Sequence, residues 1–199
     1  MLEASTNTLW ILTGYIFGAI PFGLVLCFIS GYGDIRKMGS GNIGATNVLR
    51  NTTKTLAFFT LILDAGKGAI ATIICFYFTE SISLSAWVGL SSVLGHNFPI
   101  WLGFKGGKGI ATTFGTLLAI SPAIGALTIS TWLVASKITR TSSASALIAI
   151  TLSPVYTYYI GIFSTITPIC IMTIIGVIRH KDNIKRILNG TEPKIGQKK

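Results

Sequence analysis

The chain has 199 residues, half of them hydrophobic and only 11% charged, and 16 Lys and Arg against 6 Asp and Glu give a net charge of +10. A mean hydropathy of +0.67 excludes a soluble domain with a polar surface and points to an integral membrane protein. No charge falls within residues 4–33, 81–104, 109–136 or 141–178, and about 20 apolar residues suffice to cross a hydrocarbon core about 30 Å thick.

The first apolar segment is preceded by Glu3 rather than a basic cluster and runs to Ser30 with no small-residue cleavage site, so it reads as a span and not as a secretory leader. In chain order the predicted spans are roughly 8–30, 55–78, 84–102, 109–121, 123–137, 141–160 and 162–178. This threading puts Arg36, Lys37, Arg50, Lys54, Lys105, Lys108, Lys137, Arg140, Arg179 and the basic tail on one side, and leaves Glu3 and Glu80 on the other. Basic residues at span ends mark the cytoplasmic side. The expected fold is therefore all-α, a seven-transmembrane-helix bundle with the N-terminus outside and the C-terminus cytoplasmic, forming one domain over residues 1–199. Ser121-Pro122 divides residues 109–136, which could form one long helix or two short ones. A hairpin is preferred, because a single crossing would move Lys137, Arg140 and the tail to the opposite face. Cys27, Cys75 and Cys170 lie inside predicted spans without metal or redox spacing and read as small buried apolar residues.

Three unusual segments fall on the cytoplasmic side. In GSGNIGATNVLR, Gly39, Gly41 and Gly44 satisfy the letter of a dinucleotide fingerprint, but the strand, helix and acidic residue of a βαβ unit have no place among membrane helices. The physics of that pattern still applies: glycines let backbone N–H groups converge on an anion. Ser40, Asn42, Thr46 and Asn47 add neutral donors, and Arg50 adds a planar fork that suits phosphate oxygens. A connecting loop with Ser and Asn caps is the plainer alternative.

GHNFPIWLGFKGGKG at 95–109 carries Lys105, Gly106, Gly107 and Lys108 in a compact cationic loop. It is not a Walker loop, since Leu102 stands where glycine and Gly109 where Ser or Thr would be needed. His96 at the membrane edge reads as a hydrogen-bonded structural residue or a phosphate contact, and is kept as a candidate for binding. In RHKDNIKRILNGTEPK, His180, Asn183 and Arg186 recur every three residues and share one helix face. Asp64 and Lys67, also three apart, fall in the second span, where charges are paired or functional. Lys67 is therefore a further candidate for substrate contact.

Glycine nests and cations beside lipid suit substrates with phosphate and acyl parts. Two doubly charged phosphates ~6 Å apart at an effective dielectric near 20 repel by about 11 kcal/mol, so joining them demands fixed positive charge. There is no G-x-S-x-G elbow and no H-x4-D pair, since Trp101 follows His96 at the aspartate position. No carboxylate cluster suggests a metal, and no cofactor is expected. The acyl donor should then arrive already activated, leaving the protein to orient and neutralise.

Taken in order and spacing, GSGNIGATNVLR, GHNFP with FKGGKG, and H-x-x-N-I-x-R with Gly190, Glu192 and Lys194 resemble the signature motifs of the bacterial acyl-phosphate:glycerol-3-phosphate acyltransferases, the PlsY family, over essentially the whole chain. The resemblance implies a seven-span bundle in the bacterial cytoplasmic membrane with its active site on the cytoplasmic side. It also implies transfer of a fatty acyl group from acyl phosphate to the 1-position of sn-glycerol 3-phosphate, giving lysophosphatidic acid and phosphate. Carried over by motif, Ser40 and Arg50 would contact substrate phosphate, Lys105 and Lys108 would hold phosphate groups, and His180 and Asn183 would bind glycerol 3-phosphate. Asp182 takes no role. Membrane lipid is the expected surroundings, with neither nucleic acid nor an obligate protein partner. A transporter of phosphorylated or anionic solutes is the alternative, but it needs polar residues on both sides, and the outer connections are short and nearly free of charge.

Overall fold

The computed structural model describes residues 2–196, and among these it contains ten α-helices, three short 3-10 turns and no strand. In order they are α1 (Leu2–Gly18), α2 (Phe22–Ile29), α3 (Ala45–Asn51), α4 (Lys54–Thr79), α5 (Ile82–Asn97), α6 (Ile110–Ile120), α7 (Pro122–Thr139), α8 (Ser142–Ile160), α9 (Ile166–Arg179) and α10 (Lys181–Leu188). Each predicted span has a helical counterpart. Among the described residues two stretches, Ser5–Ile29 and Lys54–Thr79, are long and apolar enough to cross a bilayer by themselves; Phe163–Arg179 meets that test only when joined to α10, from which it is bent by 58°.

Several of the remaining helices are rich in Ser and Thr, and the structure shows how those hydroxyls are accommodated. Thr128 donates to the Ile124 carbonyl, Ser145 to Thr141 and Thr157 to Ser153, each at 2.7–2.8 Å one turn back. Such back-bonding hides the hydroxyl within its own helix and lets a polar sequence sit in an apolar interior.

The first predicted span is broken rather than continuous. Pro21 cannot continue the backbone ladder, so the chain leaves helix after Gly18 and resumes at Phe22. The Ile20 carbonyl at this break accepts from the Lys67 ammonium of α4 at 3.0 Å.

Pro154 interrupts α8 in the same chemical sense without ending it. The carbonyl it leaves unpaired four residues back, that of Ile150, accepts from Ser153 Oγ and, across the interface, from Thr173 Oγ1 of α9, both at 2.8 Å.

Small residues bring the helices close. A Cβ on Gly18 of α1 would lie 2.0 Å from the Ser92 carbonyl oxygen of α5, and one on Gly115 of α6 would lie 2.0 Å from that of Ala65 in α4. At Ser121-Pro122 the chain folds back: a Cβ on Gly125 would lie 2.6 Å from the Leu118 Cα, although a straight helix would hold those residues about 10 Å apart. Ser121 caps the second arm and Pro122 begins it. Cys27 and Cys75 are buried and Cys170 is half-buried, all as free thiols.

Candidate active site

The three polar segments meet at one end of the bundle. A cleft of about 310 Å³ is lined by Ser40, Gly41 and Asn42 from the first segment, Phe98, Gly106 and Lys108 from the second, Arg179, Lys181 and Asp182 from the third, and Ile178 just before it.

The first segment is a loop built around Asn47. Gly39 and Gly41 hold left-handed backbone, at φ 56° and 73°. The Asn47 amide donates to the carbonyls of Ile35, Met38 and Asn42, and its Oδ1 accepts from the Ser40 N–H at 2.9 Å. Asn47, expected to contact phosphate, is instead the internal tie of the loop, because every polar atom of its side chain is engaged there. Gly44 caps α3 and Thr46 faces Ser142 at 3.2 Å, so neither lines the cleft. Ser40 is exposed in the cleft, and the buried Asn42 Oδ1 has no partner among the described residues.

The second segment hangs from the end of α5. The Gly106 and Gly107 amides donate to the Asn97 and His96 carbonyls at 3.2 and 3.0 Å. Gly103 and Phe104 are both left-handed, at φ 57° and 63°, a turn that a bulky residue adopts only under constraint. Arg179, stacked 5.2 Å from the Phe98 ring centre, donates to the Gly106 and Gly107 carbonyls at 2.8–3.1 Å. Lys105 is exposed and does not line the cleft, whereas Lys108 does.

The third segment turns at His180, between α9 and α10. His180 Nδ1 lies 2.7 Å from the Gly176 carbonyl, and a carbonyl only accepts, so Nδ1 carries the hydrogen and Nε2 is left as an acceptor. One turn on, Asn183 Oδ1 accepts from the Lys108 ammonium while its Nδ2 donates to Glu192 Oε1 at 2.6 Å. A lysine can only donate and a carboxylate only accept, so these two partners fix the orientation of the amide. Glu192 also accepts from Arg186 Nε and Ser143 Oγ, each at 2.7 Å, and Arg50 Nη2 donates to the Pro193 carbonyl at 3.2 Å. Arg50 and Arg186 are thereby placed in the same charged cluster as Lys108.

Burial pulls the Lys108 ammonium down to about 8, with Glu192 opposing the shift. Burial likewise brings His180 down to about 4, against its bond to Gly176 and with help from the Lys108 charge. For Glu192, burial acts to raise the carboxyl, but hydrogen bonds from Ser143, Asn183 and Arg186 prevail and leave it below its ordinary value.

Lys67 and His96, both sequence candidates for substrate contact, are buried behind the second segment and outside the cleft lining. Lys67 Nζ lies 2.7 Å from His96 Nδ1 and 3.0 Å from Asp64 Oδ1, the latter close but off the hydrogen-bond direction. Sequence reasoning missed the grip of Arg179 on the glycine loop and the contact of Ser143 with Glu192. No spacing marks either, since both pair residues far apart in the chain.

These features define a helical membrane protein with a cationic cleft at one end. The glycerol-3-phosphate acyltransferase family model matches residues 8–190. Proteins named glycerol-3-phosphate acyltransferase include one from Paramagnetospirillum magneticum, 51% identical over 100% of this chain and 97% of that one. Another, from Rhodospirillum rubrum, is 47% identical over 94% of this chain and 90% of that one. Crystal structures of PlsY, an integral membrane glycerol 3-phosphate acyltransferase, superpose in the glycerol 3-phosphate form with a TM-score of 0.91 and 32% identity, and in the lysophosphatidic acid form with 0.89 and 31%. Each alignment covers 96% of both chains. The chain belongs to the glycerol-3-phosphate acyltransferase family.

Proposed function

We propose that this acyltransferase moves a fatty acyl group from acyl phosphate to the 1-hydroxyl of sn-glycerol 3-phosphate, giving lysophosphatidic acid and phosphate. The observation that carries the reading is the meeting of Ser40, Lys108 and Asp182, one from each segment, around a single cleft. Lys108, with Arg50 and Arg186 in the cluster beside it, supplies the positive charge that two phosphate-bearing substrates require. The Ser40 hydroxyl and the Asn42 side-chain amide offer uncharged donors for phosphate oxygens, and Lys105, exposed beside the loop, attracts the incoming anion. Asn183 and the Nε2 acceptor of His180 orient glycerol 3-phosphate.

In the reaction, the 1-hydroxyl oxygen bonds to the acyl carbon and the bond from that carbon to the phosphate oxygen breaks. The hydroxyl proton passes to an oxygen of the departing phosphate, so the protein aligns the partners and stabilises charge. The protein spans the bacterial cytoplasmic membrane seven times as one domain, with the N-terminus outside and the cleft in the cytoplasm. The one-sided basic charge supports this orientation, and the fold-back at Ser121-Pro122 supports two crossings between residues 109 and 139.

Purified protein in detergent should release inorganic phosphate from acyl phosphate only when glycerol 3-phosphate is present. Absence of that dependence would overturn the reading, and a carrier of anionic solutes would show none.

A further inference from the structure

Behind the glycine loop lies a charged cluster that the proposed reaction does not use directly. Asp64, Lys67 and His96 are 2%, 1% and 4% exposed, so each is removed from water. The Lys67 ammonium meets His96 Nδ1 at 2.7 Å, the Ile20 carbonyl at 3.0 Å and Asp64 Oδ1 at 3.0 Å, with the Phe22 ring centre 5.8 Å away.

Two hydrogen bonds leave the ammonium, to His96 Nδ1 and to the Ile20 carbonyl, while Asp64 Oδ1 sits beside it as the counter-ion, off the hydrogen-bond direction and 3.5 Å from His96 Nδ1. One carboxylate balances one cation, and of the two bases lysine is by far the stronger, with ordinary values of about 10.4 and 6.5. The proton therefore resides on Lys67, and His96 Nδ1 accepts from it. A neutral imidazole that accepts at Nδ1 carries its hydrogen at Nε2. That atom makes no hydrogen bond among the described residues and presses on the glycine loop: a Cβ on Gly107 would lie 2.0 Å from it. His180 is fixed the opposite way, donating from Nδ1.

We propose that Asp64 and Lys67 are positioning residues that lock His96 as an Nε2–H donor beneath Gly107, where it serves an oxygen of the phosphate-bearing acyl donor seated on that loop. The inference rests on the proposed reaction for the identity of that ligand, and on the geometry of the cluster with the greater basicity of lysine for the tautomer. Two histidines in one protein are then held in opposite tautomers for opposite tasks, one giving a hydrogen bond and one receiving it.

Nitrogen-15 NMR of the full-length protein with labelled histidine tests the tautomer without any turnover. The chain has two histidines, so His180→Gln leaves His96 as the sole signal for assignment. At neutral pH His96 should show a one-bond N–H coupling at Nε2 and a bare Nδ1. A hydrogen on Nδ1, or an imidazolium, would overturn the proposal.

The charge-neutral double variant Asp64→Asn/Lys67→Met avoids stranding a buried ion. It should give a mixture of tautomers and lower kcat by about 10- to 100-fold, by analogy with the loss of the partner that orients a metal-bound histidine, with KM for glycerol 3-phosphate little changed. Released tautomers with unaltered kcat would overturn the positioning role. If wild-type protein shows the Nε2–H signal but no acyl transfer, the proposed reaction fails and the tautomer assignment stands.

Discussion

Lys108 donates to the side-chain carbonyl of Asn183 across 75 residues of sequence, joining the glycine loop to α10. The cation of the cleft is therefore held in place by the protein's own amide. Preorganised charge of this kind lowers a barrier because nothing has to reorient as the reaction proceeds.

Replacing Lys108 by Met should lower kcat/KM for acyl phosphate by about 100- to 1,000-fold, the loss expected for a removed charge-stabilising donor. Phosphate release in the presence of glycerol 3-phosphate measures it. Lys108→Arg should not restore full activity, because a planar fork cannot take the place of a compact ammonium between Asn183 and the ligand.

The pH dependence follows from the same residue. Lys108 is charged below about 8 and loses its charge above it. In the free enzyme kcat/KM should therefore fall as pH rises through that value. Stability moves the other way: a lysine whose folded value is depressed weakens the fold at low pH, and the penalty fades as pH climbs from about 8 toward the ordinary lysine range. Activity profiles and thermal melts between neutral and alkaline pH should run in opposite directions, with the Lys108→Met variant losing both trends.

His180, held down at about 4 mainly by burial, stays uncharged throughout the working range. The acid limb of the kcat/KM profile for glycerol 3-phosphate should lack an inflection near the ordinary histidine value. His180→Asn should keep near-normal turnover with weakened glycerol 3-phosphate binding. Abolished turnover with binding intact would defeat proton transfer to the substrate phosphate.

Gly107→Ala would drive a methyl group to 2.0 Å from His96 Nε2. Overpacking of this sort costs about 1–3 kcal/mol. A lowered melting temperature together with a loss of turnover is expected, whereas Gly103→Ala, in open space, should disturb packing far less and suffer only from its left-handed backbone.

The orientation can be checked with single cysteines in a background lacking the three native ones. Ala123→Cys, exposed at the fold-back, should react with an impermeant thiol reagent added outside intact cells. Lys105→Cys should react only after the membrane is opened. The reverse result would invert the proposed topology.

Much of this arrangement was legible in the chain because charge and hydropathy act over short windows. Uncharged runs located the helices, and glycines beside Lys108 and Ser40 marked the loops. The break at residues 19–21 was missed, because one proline in an apolar run reads equally as a kink or an end. Asp64 and Lys67 were legible as a pair through their spacing, but the third member, His96, comes from another helix 29 residues on from Lys67. Asn47 was expected among the neutral donors for an anion, and its amide is instead spent on the carbonyls of Ile35, Met38 and Asn42, since a loop's own carbonyls and a ligand's oxygens attract the same donor.

The union of α8 and α9 at the Ile150 carbonyl bears on how the whole cleft is steadied. Proline ordinarily gives a helix a soft joint, yet here the vacated carbonyl is claimed by Thr173 of the neighbouring helix. Flexing α8 at that point would cost the carbonyl its partner on α9 and leave it only the Ser153 hydroxyl of its own helix. What begins as a defect in one helix becomes a clamp between two, and through α9 it braces the very rod that ends in Arg179 and His180.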